Sequence, residues 1–290
     1  KIGPINYAER QGSEFLGAEL GPKADPTTTT YVPRPEWYFF FLFELLRVIK
    51  PARQEAYRWQ VAEIRELPGE THVMALEPVG HAGIDFAPGQ FAWIKLGGSA
   101  FTLEEHPFSF ASSAERPGRI EFGIKGAGDF SRRIAAVEPG TRVYLDGPHG
   151  AFSIDRYPAV GFVFIGGGVG MTPMMSFLHT MADRNDPRPV LLLYAEKSLD
   201  AVTYEEALDA LQDRLDLETV LVIEDAPEDW NGGERGFIDA ALLDRRLPED
   251  RARRSYFVCG PPAMMDAVHD ALVAEGIAES QVQLERFNLA

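Results

Sequence analysis

The chain has 290 residues and a hydrophobic fraction of 45%, enough for two domains with real cores. Its formal charge of −16 argues against nucleic acid as the main partner, because phosphate binding needs a basic surface. A single cysteine excludes a disulfide framework, a thiolate zinc site and a cysteine-ligated iron–sulfur cluster within this chain, and the six histidines show no short metal-ligand spacing.

Charge divides unevenly along the chain. Residues 1–51 hold six basic and six acidic side chains, whereas the remainder holds 22 and 38. The first 30 residues are rich in Gly, Pro and Thr, as in an extended stretch. Residues 37–49 form an aromatic and leucine-rich run interrupted by Glu44 and Arg47. As a helix this run is about 20 Å long, short of the ~30 Å hydrocarbon core of a bilayer. It predicts a segment lying in the membrane interface or buried against a partner; a core helix of its own protein is the alternative.

From residue 57 the pattern turns to strands. Residues 59–64, 71–76 and 90–96 alternate apolar and polar side chains, with turn signals at Pro68-Gly69 and Pro88-Gly89. Further strands are predicted at 109–111, 119–124 and 142–145, with a helix over 130–137. Several short punctuated strands predict a small antiparallel barrel.

After Pro158 the period changes. Residues 161–165 are continuously apolar, as expected of a strand buried on both faces. Thr172 reads as a helix N-cap and Pro173 as the first helical residue, the helix running to about 182. Strands at 190–194, 219–223, 256–259 and 282–285 then alternate with helices at 204–215, 238–246 and 263–275. That alternation predicts a parallel, doubly wound sheet.

The strand over 161–165 ends in Gly166-Gly167-Gly168-Val169-Gly170. A glycine-rich turn from strand to helix lets backbone N–H groups approach a pyrophosphate, and the helix N-terminus adds partial positive charge. The spacing departs from the usual dinucleotide fingerprint, since Met171 stands where its last glycine would be. A tight turn required only for packing would use the same residues. Cys259 is equally open, as a small buried hydrophobe or a site residue.

His106-Pro107-Phe108-Ser109, the glycine cluster and Cys259-Gly260-Pro261-Pro262 follow in that order. Together they resemble the ferredoxin–NADP reductase superfamily, in its ferric reductase and NADPH-oxidase-like branch, over about residues 55–290. The resemblance implies an FAD-binding barrel over 55–155 and an NAD(P)-binding domain over 156–290. It implies that Phe108 packs on the isoalloxazine, that Ser109 hydrogen-bonds near flavin N5, and that His106, after which Pro107 follows, contacts the ribityl chain or phosphates. Lys125-Gly126-Ala127-Gly128-Asp129-Phe130-Ser131 would form the flavin pyrophosphate loop, with N–H donors at the glycines and Ser131 at a helix start. Gly166, Gly167, Gly168, Gly170, Thr172 and Pro173 would hold the nicotinamide dinucleotide. Cys259, with Gly260 and Pro261 behind it, would lie beside nicotinamide C4. Glu196 would accept hydrogen bonds from the adenosine ribose, which favours NADH, while Lys125 and Lys197 pull toward NADPH. Phe287 would cover the junction of flavin and nicotinamide. Ser109 and Cys259 are thus the candidate catalytic residues.

Pro35-Glu36-Trp37-Tyr38 and the run behind it resemble part of the carboxy-terminal domain of cytochrome b, or the matching small subunit of the b6f complex. Residues 1–51 are accordingly expected to be a membrane-docking segment. The combined expectation is an FAD-dependent oxidoreductase at the cytoplasmic face of a membrane. It would take hydride from NADH or NADPH and pass single electrons to a cytochrome b or a quinone-linked complex. A soluble flavin reductase serving a ferredoxin or oxygenase, and a non-catalytic subunit of a respiratory complex, remain as rivals.

Overall fold

The computed structural model describes residues 58–98, 104–126 and 128–287, all within one compact unit, Val48–Ala290. The aromatic segment over 37–49 lies outside the described residues.

Six strands build the first layer: β1 (Arg58–Leu67), β2 (Thr71–Pro78), β3 (Phe91–Leu96), β4 (His106–Ser109), β5 (Ile120–Lys125) and β6 (Arg142–His149). They are antiparallel in the order β4-β3-β6-β1-β2-β5. A bridge between Phe110 and Phe122 ties the last strand back to the end of the first, which curls the sheet closed. Period-2 alternation explains the interior. Ile120, Phe122 and Ile124 of β5 all point inward, onto Trp59, Met74, Ile94 and Leu145. The helix expected over 130–137 is shorter: α1 (Asp129–Arg133) continues as a 3₁₀ turn, Ile134–Ala136, which drops Ile134 into the barrel core.

The second layer is wholly parallel. It comprises β7 (Phe162–Gly167), β8 (Val190–Glu196), β9 (Leu217–Ile223), β10 (Gly233–Arg235), β11 (Ser255–Cys259) and β12 (Val282–Glu285), in the order β10-β9-β8-β7-β11-β12. Helices α2 (Met171–Arg184) and α3 (Glu205–Gln212) cover one face, packing Met174, Phe177, Leu208 and Leu211 on Phe162, Phe164 and Phe257. Helices α4 (Ala240–Arg246) and α5 (Pro262–Ala274) cover the other, packing Leu242, Leu243, Met265 and Leu272 on Val163, Ile165, Val220 and Val258. Successive residues of β7 thus serve opposite faces, which is why its sequence is apolar throughout. The strand order reverses between β7 and β11, so the crevice beyond their carboxyl ends is the site such sheets offer to ligands.

One boundary is corrected. Helix α2 begins at Met171, with Gly170 as its N-cap after a 3₁₀ turn over Gly168–Gly170. Thr172 is therefore not the cap, and Pro173 is the third helical residue rather than the first. A proline is still tolerated there, because the first-turn N–H groups have no intrahelical partner.

Candidate functional site

On the barrel side, β4 carries the first constellation. The His106 ring stacks on Phe130 at 4.1 Å, and Phe108 stands 5.9 Å from the same ring at a shallow angle. Ser109 is buried, and its Oγ has no hydrogen-bond partner. A buried hydroxyl left unpaired costs about 1–3 kcal/mol, so the atom suits a ligand that completes it.

The loop after β5 behaves differently from expectation. Gly126 N–H donates to Glu70 O at 2.9 Å, and Gly128 N–H donates to Ser131 Oγ at 2.8 Å. Ser131 sits in the third helical position, and its hydroxyl also donates to Gly128 O at 3.0 Å. Both glycine donors and the serine hydroxyl are thus used in shaping the loop. The groups that the start of α1 offers to a phosphate are the N–H groups of Asp129, Phe130 and Ser131.

At the switch point two backbones meet. Gly170 packs so closely on the end of β11 that a Cβ there would stand 2.1 Å from Cys259 O. Gly167 and Gly260 pack on each other and on Met264, and Gly166 packs on Met171. Gly168 differs: it has φ +55° and an open face whose nearest neighbour is Lys125 Nζ, 3.9 Å from where a Cβ would be. Among Gly166, Gly167, Gly168 and Gly170, only Gly168 therefore combines left-handed backbone with an open face.

Cys259 ends β11, as expected, but its side chain is fully buried in the core between the sheet and α2. Burial, and secondarily the nearby Glu285 carboxylate, push its thiol far up, so it is a neutral thiol and no thiolate nucleophile. Glu285 pairs in register with Cys259 at the carboxyl end of β12, and burial pushes its carboxyl upward. A carboxylate at that strand end was the available sequence signal. Phe287 packs against the same core cluster as Cys259.

Lys125 is redirected. Expected in the flavin loop, it reaches toward the other domain, where Nζ lies 3.9 Å from Glu196 Oε2. The Glu196 side chain is only 5% exposed. Burial raises its carboxyl; Lys125 and the Tyr194 hydroxyl oppose that shift. Barrel and sheet are thus joined directly beside the Gly168 turn.

Residues of α2 that sequence reasoning passed over make the rest of this junction. Ser176 Oγ donates to Ser112 O at 2.9 Å, Thr180 Oγ1 accepts from Ala114 N–H at 2.9 Å, and Asp183 accepts two hydrogen bonds from Arg116 at 2.7 and 2.9 Å. With Thr172 they form one stripe at spacings of four, four and three, a single helical face.

Known proteins share these two domains. Residues 57–153 match the model of an FAD-binding domain and residues 164–270 that of an oxidoreductase NAD-binding domain. The reductase component of propane 2-monooxygenase from Rhodococcus jostii is 31% identical over 237 residues, covering 79% of this chain and 63% of that protein. One subunit of the Na(+)-translocating NADH-quinone reductase of Psychrobacter cryohalolentis is 32% identical over 200 residues, covering 62% of this chain and 48% of that one. The chain therefore spans less than two thirds of the length of these relatives. The gamma subunit of sulfhydrogenase 1 from Pyrococcus furiosus is 31% identical over 208 residues, covering 69% and 68%. The flavohem-like FAD/NAD-binding domain of a Vibrio cholerae nitric oxide dioxygenase has the same fold, with a TM-score of 0.71 at 24% identity over 80% of this chain and 98% of that one. The orphaned Ser109 hydroxyl, the aromatic faces on β4 and the open Gly168 turn fit the two cofactors these domains take. The chain belongs to the ferredoxin reductase-like superfamily of FAD- and NAD(P)-binding flavoprotein oxidoreductases.

Proposed function

We propose that this chain takes hydride from NADH and releases the electrons singly to an acceptor outside its described residues. The observation that carries the reading is the junction of Lys125 with Gly168 and Glu196, which sets the end of a flavin-type strand against a nucleotide-type turn. When bound, the flavin would supply the redox chemistry, uptake of the single hydride (two electrons with one proton) that the dihydronicotinamide gives up.

The chain's own residues bind and orient. The Phe108 ring and the His106–Phe130 stack give the flavin apolar faces, with Pro107 stiffening β4 between them. The Ser109 hydroxyl donates to the flavin edge. Gly168 opens the turn to the nucleotide, and Gly166, Gly167, Gly170, Gly260 and Pro261 hold that turn against β11. Thr172 and Pro173 continue it into α2. Lys125 provides positive charge beside the dinucleotide phosphates. The Glu196 carboxylate favours an unphosphorylated ribose and hence NADH. The strand end at Cys259, whose thiol is kept neutral and buried, backs the nicotinamide site, and Phe287 covers its edge.

Anaerobic mixing with NADH should bleach the flavin absorption band, faster than with NADPH. Ser109→Ala should slow bleaching about tenfold, equivalent to about 1.4 kcal/mol in the barrier. A wild-type protein whose band does not bleach would sink the oxidoreductase reading; an unchanged variant rate would remove the role given to Ser109.

The acceptor we propose is a membrane one, a cytochrome b or a quinone-linked complex reached from the cytoplasmic face. Its support is the aromatic run over 37–49. Among the described residues, no helix is long and apolar enough to cross a membrane. Deleting residues 1–51 should abolish association with lipid vesicles while leaving NADH-driven reduction of an artificial dye intact. A second reading, a reductase feeding an oxygenase, is favoured by the likeness to the propane 2-monooxygenase reductase component. It gains if the deleted and full-length proteins bind vesicles equally little and both reduce an oxygenase.

A further inference from the structure

Beside the cleft, barrel and sheet also touch at a point to which no role has been given. Gly123 lies within β5, two residues before Lys125. A Cβ on Gly123 would stand 2.1 Å from Tyr204 Oη and 2.8 Å from Thr172 Oγ1. Thr172 Oγ1 donates to Gly123 O at 3.4 Å. The segment before Tyr204 meets the barrel a second time, where a Cβ on Gly69 would stand 2.9 Å from Ala201 O. Both barrel positions are glycines on the face that receives this segment.

Tyr204 is held there against local costs. As the N-cap of α3 it has φ +62° and ψ 12°, in the left-handed region, which costs a residue with a β-carbon about 1–2 kcal/mol. Its hydroxyl is buried beside the Thr172 hydroxyl, its one near polar partner, in a contact that falls short of ordinary hydrogen-bond geometry. The backbone around it is pinned to β8: Thr203 N–H donates to Tyr194 Oη at 2.8 Å, and that hydroxyl also bonds Thr203 Oγ1 at 2.7 Å. Tyr194 is two residues from Glu196. A strained backbone and a buried hydroxyl set against Thr172 and Gly123, fixed at the domain junction, mark a contact that does more than fill space.

We propose that Tyr204 is a positioning residue. Its hydroxyl, bearing on the Cβ-less face of Gly123, sets the separation between β5 and the glycine turn, and with it the gap that hydride crosses. This rests on the oxidoreductase reading above. Hydride transfer is steep in distance, and a displacement of about 1 Å can cost about a hundredfold in rate.

The test uses the flavin-loaded full chain as Gly123→Ala, Tyr204→Phe and the double variant. Anaerobic flavin reduction by NADH is followed together with flavin content and amide hydrogen exchange in peptides covering 120–126 and 168–173. Gly123→Ala should slow reduction at least tenfold, keep its flavin and exchange faster in both peptides. The double variant should recover much of the rate and the protection, because the nearest atom is gone and the one that remains under 3 Å from the new Cβ, Thr172 Oγ1 at 2.8 Å, is the end of a side chain that can rotate. A wild-type rate and exchange in Gly123→Ala overturns the proposal, as does a double variant as slow as the single one. If Gly123→Ala does not fold, Tyr204→Leu removes the spacer without adding bulk; flavin reduction at the wild-type rate in that variant overturns the proposal equally. A wild-type protein not reduced by NADH would instead sink the oxidoreductase reading. The recovery of hydrogen-exchange protection in the double variant reads the spacer independently of that.

Discussion

Gly170→Ala should raise the Kd for NADH at least a hundredfold while leaving the flavin bound. Gly170 has ordinary right-handed backbone, φ −63° and ψ −11°, so conformation is not what demands glycine. Contact is. The added methyl would stand 2.1 Å from Cys259 O, 2.4 Å from Cys259 C and 2.8 Å from Gly260 N, all backbone atoms. No side chain can rotate away. Either the turn lifts off β11, or β11 leaves its register with β7, where Cys259 pairs with Gly166. Overpacking of this kind costs about 1–3 kcal/mol, occasionally more. The turn is the weaker of the two, because β11 is hydrogen-bonded on both sides by β7 and β12. Lifting it carries Gly168 and the start of α2 away from the switch point. The barrel core is a separate cluster, so flavin content should not change. Titration with NADH, together with the flavin-to-protein absorbance ratio, checks both halves. Wild-type NADH affinity in Gly170→Ala would show that the turn does not hold the nucleotide.

That contact also shows where the sequence stops informing. The alternation of Ile120, Phe122 and Ile124, and the unbroken run of β7, are local signals, and both strands lie where those signals put them. The start of α2 is misread from sequence because a hydroxyl and a proline at 172–173 look like a cap. The actual cap, Gly170, is chosen by a neighbour 89 residues further on. The family resemblance assigns Lys125 to its own loop, and nothing nearby in sequence indicates that its amine comes within 3.9 Å of Glu196. The stripe Thr172, Ser176, Thr180 and Asp183 has clear helical spacing, yet a search for apolar periodicity reads past it: the surface it faces is the polar rim of a barrel. Strand β10, Gly233–Arg235, is three residues without an apolar side chain, so only its pairing with β9 defines it. Each of these features depends on a partner distant in sequence, which periodicity and capping rules do not report.

The polar stripe leads to the second large effect: Asp183→Asn should destabilise the protein by about 2 kcal/mol at neutral pH, lowering the melting temperature by about 5 °C. Asp183 is the hub of the stripe. It accepts from Arg116 of the barrel at 2.7 and 2.9 Å and from Arg214 of the sheet domain at 3.1 Å, with its own side chain 12% exposed. Asparagine keeps the shape but removes the charge, and its amide hydrogens face guanidinium hydrogens. The neighbouring Arg184 continues the junction, bonding Glu115 at 2.7 Å and Asp155 at 2.6 Å. Because Arg116 and Arg214 are themselves largely exposed, the loss stays below that of a fully buried pair. Burial alone would raise the Asp183 carboxyl. Hydrogen bonds from Arg116, Arg214 and Ser113 outweigh it and hold the group below the usual carboxylate range. A folded-state value below the unfolded one, about 3.9, gives a stability contribution that is present above that pH and lost as pH falls through the folded value. The gap between wild type and Asp183→Asn should therefore be full at pH 7 and close progressively below about pH 4. Thermal melts across that range decide it. Equal melting temperatures at pH 7 would mean that the two arginines find water as good a partner as this carboxylate, and that the apolar contacts of α2 hold the domains together without it.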